Sequence, residues 1–456
     1  MSLLSRFLRP VVAAVLISQA MAVEPSNHTQ AWTPLFNGTN LDGWVPVNVA
    51  PNTFTARNGM IISTGIPKGV MRTEHMYENC IVELEWRHIN PGGNAGLFHW
   101  SDGIPYTRGI EVQIMDNSRD AKGKNERFTT HGDIFPIHGA KMTPSGNISK
   151  IGVRSFPTEE RSRSSPEWNH YRIVSNHGEV RLSVNGKEVT VGKECWPRKG
   201  YILLESEGSE CHFRNLRIQE LPSTGATRDE TARDGEGYLP LFTGIDLENW
   251  KIPEGDNGHW TVKNEVLDYD AESEAAGDKS LWSQKEFKNF QLIVDWRIKE
   301  TPYTNPRIRQ ILPDGTEALD ATGKPVLLSM PDSDSGILIR GSHKHQINIW
   351  CWPIGSGEMY GVRRDMTLAP EVRKAVTPTL KADKPVGQWN RFEITVRGDS
   401  VQVVLNNQTI LRETAIPGLP AKGPIAFQHH GSKQDGQWTG PPSLVQFRNI
   451  MIKELP

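Results

Sequence analysis

Val82-Glu83-Leu84-Glu85-Trp86 alternates apolar and charged residues, and in Leu292-Ile293-Val294-Asp295-Trp296 the apolar Leu292, Val294 and Trp296 keep the same step. A period of two marks a strand with one buried face. The two stretches also end alike, Glu85-Trp86-Arg87 against Asp295-Trp296-Arg297. Outward from them the correspondence continues in order. Pro34-Leu35-Phe36-Asn37-Gly38 recurs as Pro240-Leu241-Phe242-Thr243-Gly244, and Leu41-Asp42-Gly43-Trp44 as Leu247-Glu248-Asn249-Trp250. Asn94-Ala95-Gly96 matches Asp334-Ser335-Gly336, Glu167-Trp168-Asn169 matches Gln388-Trp389-Asn390, and Phe213-Arg214-Asn215 matches Phe447-Arg448-Asn449. Each copy closes on Glu-Leu-Pro. A repeat this long is a duplicated domain, not a solenoid.

Val180, Leu182 and Val184 lead into Asn185-Gly186, a type I′ hairpin signal, with Asn406-Asn407 as its counterpart. The 41 Gly and 31 Pro in 456 residues favour turn-rich β structure. The expected fold is all-β: two tandem β-sandwiches, residues 31–221 and 238–456. Residues 222–237 are polar, charged and aperiodic, and read as an exposed linker. Tryptophans within the strands read as core rather than binding platforms.

At the N-terminus, Arg6 and Arg9 precede the apolar run Val11 to Ile17, and Ala20-Met21-Ala22 follows. This reads as a secretory signal over residues 1–22, cut after Ala22, giving a secreted or periplasmic protein. The run is shorter than the about 20 residues of a membrane span, and no later segment qualifies. With 51 basic and 53 acidic residues, the net charge of −2 offers no field for nucleic acid. Cys80, Cys195, Cys211 and Cys351 form no C-x-x-C, which argues against a zinc or redox site. A Cys195–Cys211 bridge and buried free thiols both fit.

Three stretches of the first copy carry candidate chemistry. In Gly109-Ile110-Glu111-Val112-Gln113-Ile114-Met115-Asp116, core-facing Ile110, Val112 and Ile114 put Glu111 and Gln113 on the opposite face. A carboxylate and an amide two residues apart can bind hydroxyls or move a proton, and they can equally be a solvated strand face. His131-Gly132-Asp133-Ile134-Phe135-Pro136-Ile137-His138-Gly139 is a loop whose two His and one Asp can supply a base or hold a divalent metal ion, although the spacing is not a standard zinc pattern. In Leu203-Leu204-Glu205-Ser206-Glu207-Gly208, Glu205 and Glu207 share a face opposite Leu204.

The second copy differs at these places. Aligning Ile347 and Ile349 on Val112 and Ile114 puts Gln346 where Glu111 stands and Asn348 where Gln113 stands. An amide binds hydroxyls but is no base at neutral pH. Trp350 then shares the polar face as a candidate platform for a ligand ring. Gln428 and His430 stand at the positions of Glu205 and Glu207. Arg340 is a candidate for holding a substrate oxygen, or for a structural salt bridge. The eight residues from Trp86 to Asn94 become 38 from Trp296 to Asp334, an insertion that either rims a pocket or decorates the surface.

Taken in order, these landmarks resemble the 3-keto-disaccharide hydrolase family, also described as the 3-keto-glucoside 1,2-lyase/3-keto-2-hydroxy-glucal hydratase domain, in both copies. Gln428 and His430 fit its common Q-x-H-G element, and Gly357-Glu358-Met359-Tyr360-Gly361 resembles its G-x-x-Y-G element. The resemblance implies concanavalin A-like jelly rolls with a sugar site on the concave face. It implies action on glycosides whose C3 hydroxyl has been oxidised to a ketone, with a partner glycoside 3-oxidoreductase making that ketone. The ketone acidifies the C2 hydrogen, so such an enzyme needs a base, a donor or cation at the enolate oxygen, and an acid for the leaving group. On this reading Glu111 or His138 is the base, and Asp116, His131 or Glu205 assists in proton transfer or metal binding. Substrate contacts fall to Gln113, Glu207, Arg340, Gln346, Asn348, Trp350, Tyr360, Gln428 and His430. The rival reading is a non-catalytic, lectin-like carbohydrate-binding protein, towards which the second copy leans. A two-carboxylate glycosidase fits poorly, because Glu205 and Glu207 are neighbours on one strand face rather than acids flanking a bond.

Overall fold

The computed structural model describes residues 31–105, 108–118, 127–129 and 131–456. The signal-peptide reading of residues 1–22 lies outside them. No helix among the described residues is long and apolar enough to cross a membrane.

The period-two stretches are the centres of the two domains. Cys80–His88 pairs antiparallel with Asn169–Asn176 on one side and Cys211–Glu220 on the other, in a nine-stranded outer sheet among the described residues. Its Val82, Leu84 and Trp86 pack against Leu97, Ile110, Val112, Ile114 and Leu204 of an eight-stranded inner sheet. Phe290–Ile298 plays the same part in the second domain. Its Leu292, Val294 and Trp296 face Ile337, Ile347, Ile349 and Phe427 across the core between an eight-stranded and a five-stranded sheet. The chain is two all-β jelly-roll sandwiches in tandem, with the short helices Tyr360–Arg363 and Pro370–Ala375 on the second.

The duplicated landmarks are scaffold devices. Asn215 and Asn449 sit at φ 54° and 51°, beside bulges where the last strand of each copy shifts register on its neighbour. Asparagine tolerates that left-handed backbone better than most residues. The Asn of each Trp-Asn pair clamps the following hairpin: Asn185 Nδ2 donates to Asn169 Oδ1 at 3.0 Å, and Asn406 Nδ2 to Asn390 Oδ1 at 2.8 Å.

Three expectations resolve differently or more finely. The linker is not simply exposed. Its first half lies open, but Ala232 and Gly235 are buried, Arg198 pairs with Glu230 at 2.8 Å, and Gly103 N donates to Arg233 O at 3.0 Å. A Cβ on Gly235 would fall 2.0 Å from Gly103 O, so glycine is what lets this strap lie flat on the first domain. The four cysteines are free, with Cys80, Cys195 and Cys211 buried, so the Cys195–Cys211 bridge is not formed. The insertion is a hairpin, Tyr303–Arg309 with Leu327–Asp332, whose Ile308 is buried against Trp350 and Trp352. It is more than surface decoration: it caps an aromatic pair, and Arg309, Asp320, Lys324 and Leu327 line a pocket of its own of about 580 Å³.

The domains meet through an apolar patch. Val47 and Ile104 of the first bury against Ile293 and Met451 on the outer sheet of the second. Arg233 of the strap bonds Glu393 with both terminal nitrogens, at 3.1 and 2.6 Å.

Candidate active site

Gly109–Met115 lies between Asn94–Ser101 and Ile134–Ile137 in the inner sheet of the first domain. Ile110, Val112 and Ile114 are fully buried in the core, so strand parity sends Glu111 and Gln113 to the other face. There they line a cleft of about 460 Å³. On the far side of Asn94–Ser101, Tyr201–Ser206 turns Leu204 inward, and Glu205 and Glu207 line the same cleft.

Gly96 lies on the intervening strand, between the glutamates. A Cβ there would meet Glu205 Oε2 at 2.8 Å and Glu111 Oε1 at 3.0 Å. The missing side chain is the space into which both carboxylates lean. Gln113 Nε2 donates to Asn94 Oδ1 at 2.8 Å, and Asn94 Nδ2 donates to Glu207. Glu205 Oε2 is buried with no hydrogen-bond partner among the described residues.

Two carboxyls leaning into one desolvated gap disfavour each other's charge. Burial, and then the charge of Glu207, push Glu111 up to about 8 against the opposing pull of Arg154. Burial, and then Glu111 and Glu207, hold Glu205 well above the carboxylate range. The cleft therefore offers a proton donor and, beside it, a carboxyl that ionises near neutrality. Positive charge enters from Lys68 at the rim and from Arg154, whose Nη1 donates to Asp133 at 3.2 Å and whose guanidinium lies 3.4 Å over the Phe135 ring centre. Phe98 and Phe135 supply apolar wall.

Asn94, Phe98, Lys68 and Arg154 are cleft residues that sequence reasoning missed. Parity counted from Gly96 would have found Asn94 and Phe98. Arg154 comes from a loop with no period to read.

Several sequence candidates lie elsewhere. Asp116 is a structural carboxylate. Burial alone would raise its pKa, but hydrogen bonds from Ser118, Ser165 and Gly92 outweigh that and hold it below the ordinary value. His131 is buried and bonded to Ser162 Oγ at 2.7 Å, and burial lowers it to about 4. Neither lines the cleft. His138 does line it, with its ring reaching towards the second domain; surrounding protein, and then Arg391 and Arg448, lower its pKa. The metal reading of this loop does not fit. His131 and Asp133 are buried with partners of their own while His138 is exposed at the cleft, and no three His, Cys, Asp or Glu among the described residues converge as a metal site.

On the equivalent face of the second domain, Gln346 Nε2 donates to Gln428 Oε1, so an amide pair replaces Glu111 and Glu205. His430 Nε2 stands 3.8 Å from Asp334, where the first copy has Glu207 and Asn94. Asn348 is buried, its Oδ1 without a partner among the described residues. Trp350 is not a platform: it is buried, stacked on Trp352 at 4.1 Å beneath the insertion. Tyr360 packs edge-on against both rings, and Arg364 donates to its hydroxyl at 2.5 Å. Arg340 is likewise corrected. It is buried at φ 50°, and its guanidinium donates to the carbonyls of Gly398, Pro420 and Lys288, which leaves it no role at a sugar.

Residues 31–219 and 237–453 each match the family model described as the 3-keto-alpha-glucoside-1,2-lyase-like domain. Among solved structures, a provisionally assigned glycosyl hydrolase from Parabacteroides distasonis is similar at 24% identity, over 42% of this chain and 100% of that one, with a TM-score of 0.31. The carbohydrate binding module CBM66 from Bacillus subtilis is similar at 13% identity, over 40% and 98% of the respective chains, with a TM-score of 0.30. No curated protein matches the chain.

Proposed function

Because the chain belongs to the 3-keto-alpha-glucoside-1,2-lyase-like domain family through both of its halves, and is thereby a carbohydrate-active protein, we propose that its first domain cleaves 3-keto-glycosides by proton abstraction at C2. The observation that carries this reading is the carboxyl cluster: Glu111 and Glu205 on either side of Gly96, with Glu207 beside them.

In the proposed reaction, ionised Glu111 takes the C2 proton. The C–H electron pair passes into a C2–C3 enolate, whose oxygen needs a positive neighbour, and Lys68 and Arg154 are the cations lining the cleft. The enolate collapses, the C1–O bond breaks, and protonated Glu205 gives its proton to the leaving oxygen. Water then adds at C1 with a proton returned to C2, so the net change is hydrolysis. Glu207, Asn94 and Gln113 form the hydrogen-bonded row that would hold sugar hydroxyls. The low dielectric that raises the two pKa values also favours this chemistry, since a base poised near neutrality and a retained acid are what an elimination requires.

Export through the N-terminal signal, and a separate oxidoreductase supplying the ketone, belong to the same proposal. For the second domain, the Gln346–Gln428 amide pair in place of Glu111 and Glu205 favours sugar binding on the equivalent face, with His430 and Asp334 as the ionisable groups left there. The test is aglycone release from 3-keto-glucosides by the full chain and by Glu111→Gln. Loss in the variant supports the reading, and undiminished release removes Glu111 from it.

A further inference from the structure

A second cleft, of about 950 Å³, runs between the domains. It shares Asp102 and His138 with the glutamate cleft, so the two are continuous. One wall is the outer sheet of the second domain, where Arg391 and Glu393 alternate with the core residues Phe392 and Ile394. The apolar patch that joins the domains sits beside it, and Ile104 and Val70 belong to both that patch and the lining of the glutamate cleft. The second domain therefore leans on the open edge of the first domain's site with its back, not with its own sugar face.

Among the described residues this cleft presents five basic side chains and three carboxylates. In each ion pair the acid is the more covered partner. Arg108 keeps 21% of its side chain exposed over Asp102 at 1%, and Arg233 keeps 40% over Glu393 at 23%. Asp295 is buried beneath Arg391, which bonds it at 2.6 Å, and Arg448. Lys384 stands exposed at the rim. What the cleft displays is thus guanidinium and ammonium, in a recess where they act on a ligand more strongly than on open surface. At the equivalent place the first domain holds Glu85 with Arg214, but His170 stands there where Arg391 stands in the second copy, and the cleft forms on the second copy.

We propose that the interdomain cleft is an anion-recognising extension of the glutamate cleft, taking a carboxylate- or sulfate-bearing sugar of the same glycoside whose reacting ring lies at Glu111. The inference rests on the proposed function only in naming the ligand a sugar, and binding is measured without turnover.

The test is calorimetric titration of the full chain with trigalacturonate, a sulfated trisaccharide and neutral cellotriose, at about 50 and 300 mM salt. The expected result is that at least one anionic probe binds at least about fivefold tighter than cellotriose. That preference should shrink at the higher salt and fall about fivefold in Lys384→Glu, an exposed rim position. The tighter of the two anions identifies carboxylate or sulfate. Arg391→Lys, which keeps a charge on Asp295 but loses the planar fork, is the second variant and should weaken the same probe. Equal or weaker binding of both anions relative to cellotriose, or anion binding unmoved by Lys384→Glu, overturns the proposal.

Discussion

Glu111 and Glu205 lean from two different strands into the single gap that Gly96 leaves: a Cβ on Gly96 would lie 3.0 Å from one carboxylate and 2.8 Å from the other. The register puts Gly96 opposite Gln113 and Phe98 opposite Glu111, so the pair exists because the strand between them has no side chain at that point. The acid and the base of the proposed reaction are therefore both raised in pKa, by burial first and by neighbouring carboxylates after it.

Gly96→Ala should cost activity and spare the fold. The atoms a methyl would displace are the tips of two flexible carboxylates, with Phe98 Cζ next at 3.3 Å. A displacement on that scale is expected to lower kcat/KM for a 3-keto-glucoside at least about tenfold. The circular dichroism spectrum and cooperative melting should remain.

Glu111→Gln should stabilise the protein as pH rises. The folded pKa of Glu111 is raised to about 8, so between about pH 4.3, the unfolded value, and 8 the folded chain holds a proton that the unfolded chain has released. Stability from this group falls across that window and is flat above it. The variant lacks the penalty, so unfolding free energies from denaturant titration should diverge by an amount on the order of a few kcal/mol between pH 5 and pH 8, the variant being the more stable.

Arg340→Ala should unfold without disarming. The buried guanidinium satisfies carbonyls of Gly398, Pro420 and Lys288, and leaving these without a donor costs about 1–3 kcal/mol each at most. The second domain should lose roughly 3 kcal/mol of stability. Turnover per folded molecule should stay within about twofold, measured as kcat beside a melting curve.

The architecture was legible because its signals are local. Alternation at Val82–Trp86, the Asn185-Gly186 turn and the ordered landmarks each report a backbone demand that one or two residues satisfy, such as the left-handed Asn215 and Asn449. Parity likewise carried Glu111, Gln113, Glu205 and Glu207 to one face. What parity cannot report is which polar groups are already occupied. Asp116 reads as an acid beside the site, yet its oxygens are filled by Ser118, Ser165 and Gly92. Trp350 reads as a platform until the inserted hairpin closes over it. Arg154 reaches its cleft from a loop with no period in the sequence, whereas Arg391 alternates with core Phe392 and Ile394 on its strand and meets a cleft only because the two domains pack together.

The most direct measurement is hydrogen exchange at C2 of a 3-keto-glucoside in deuterated solvent, followed by NMR with wild type and Glu111→Gln. Wild type should exchange C2 hydrogen at least as fast as it releases aglycone. Glu111→Gln should bind the sugar and exchange at no more than about one hundredth of that rate. Exchange by Glu111→Gln at the wild-type rate would contradict the account.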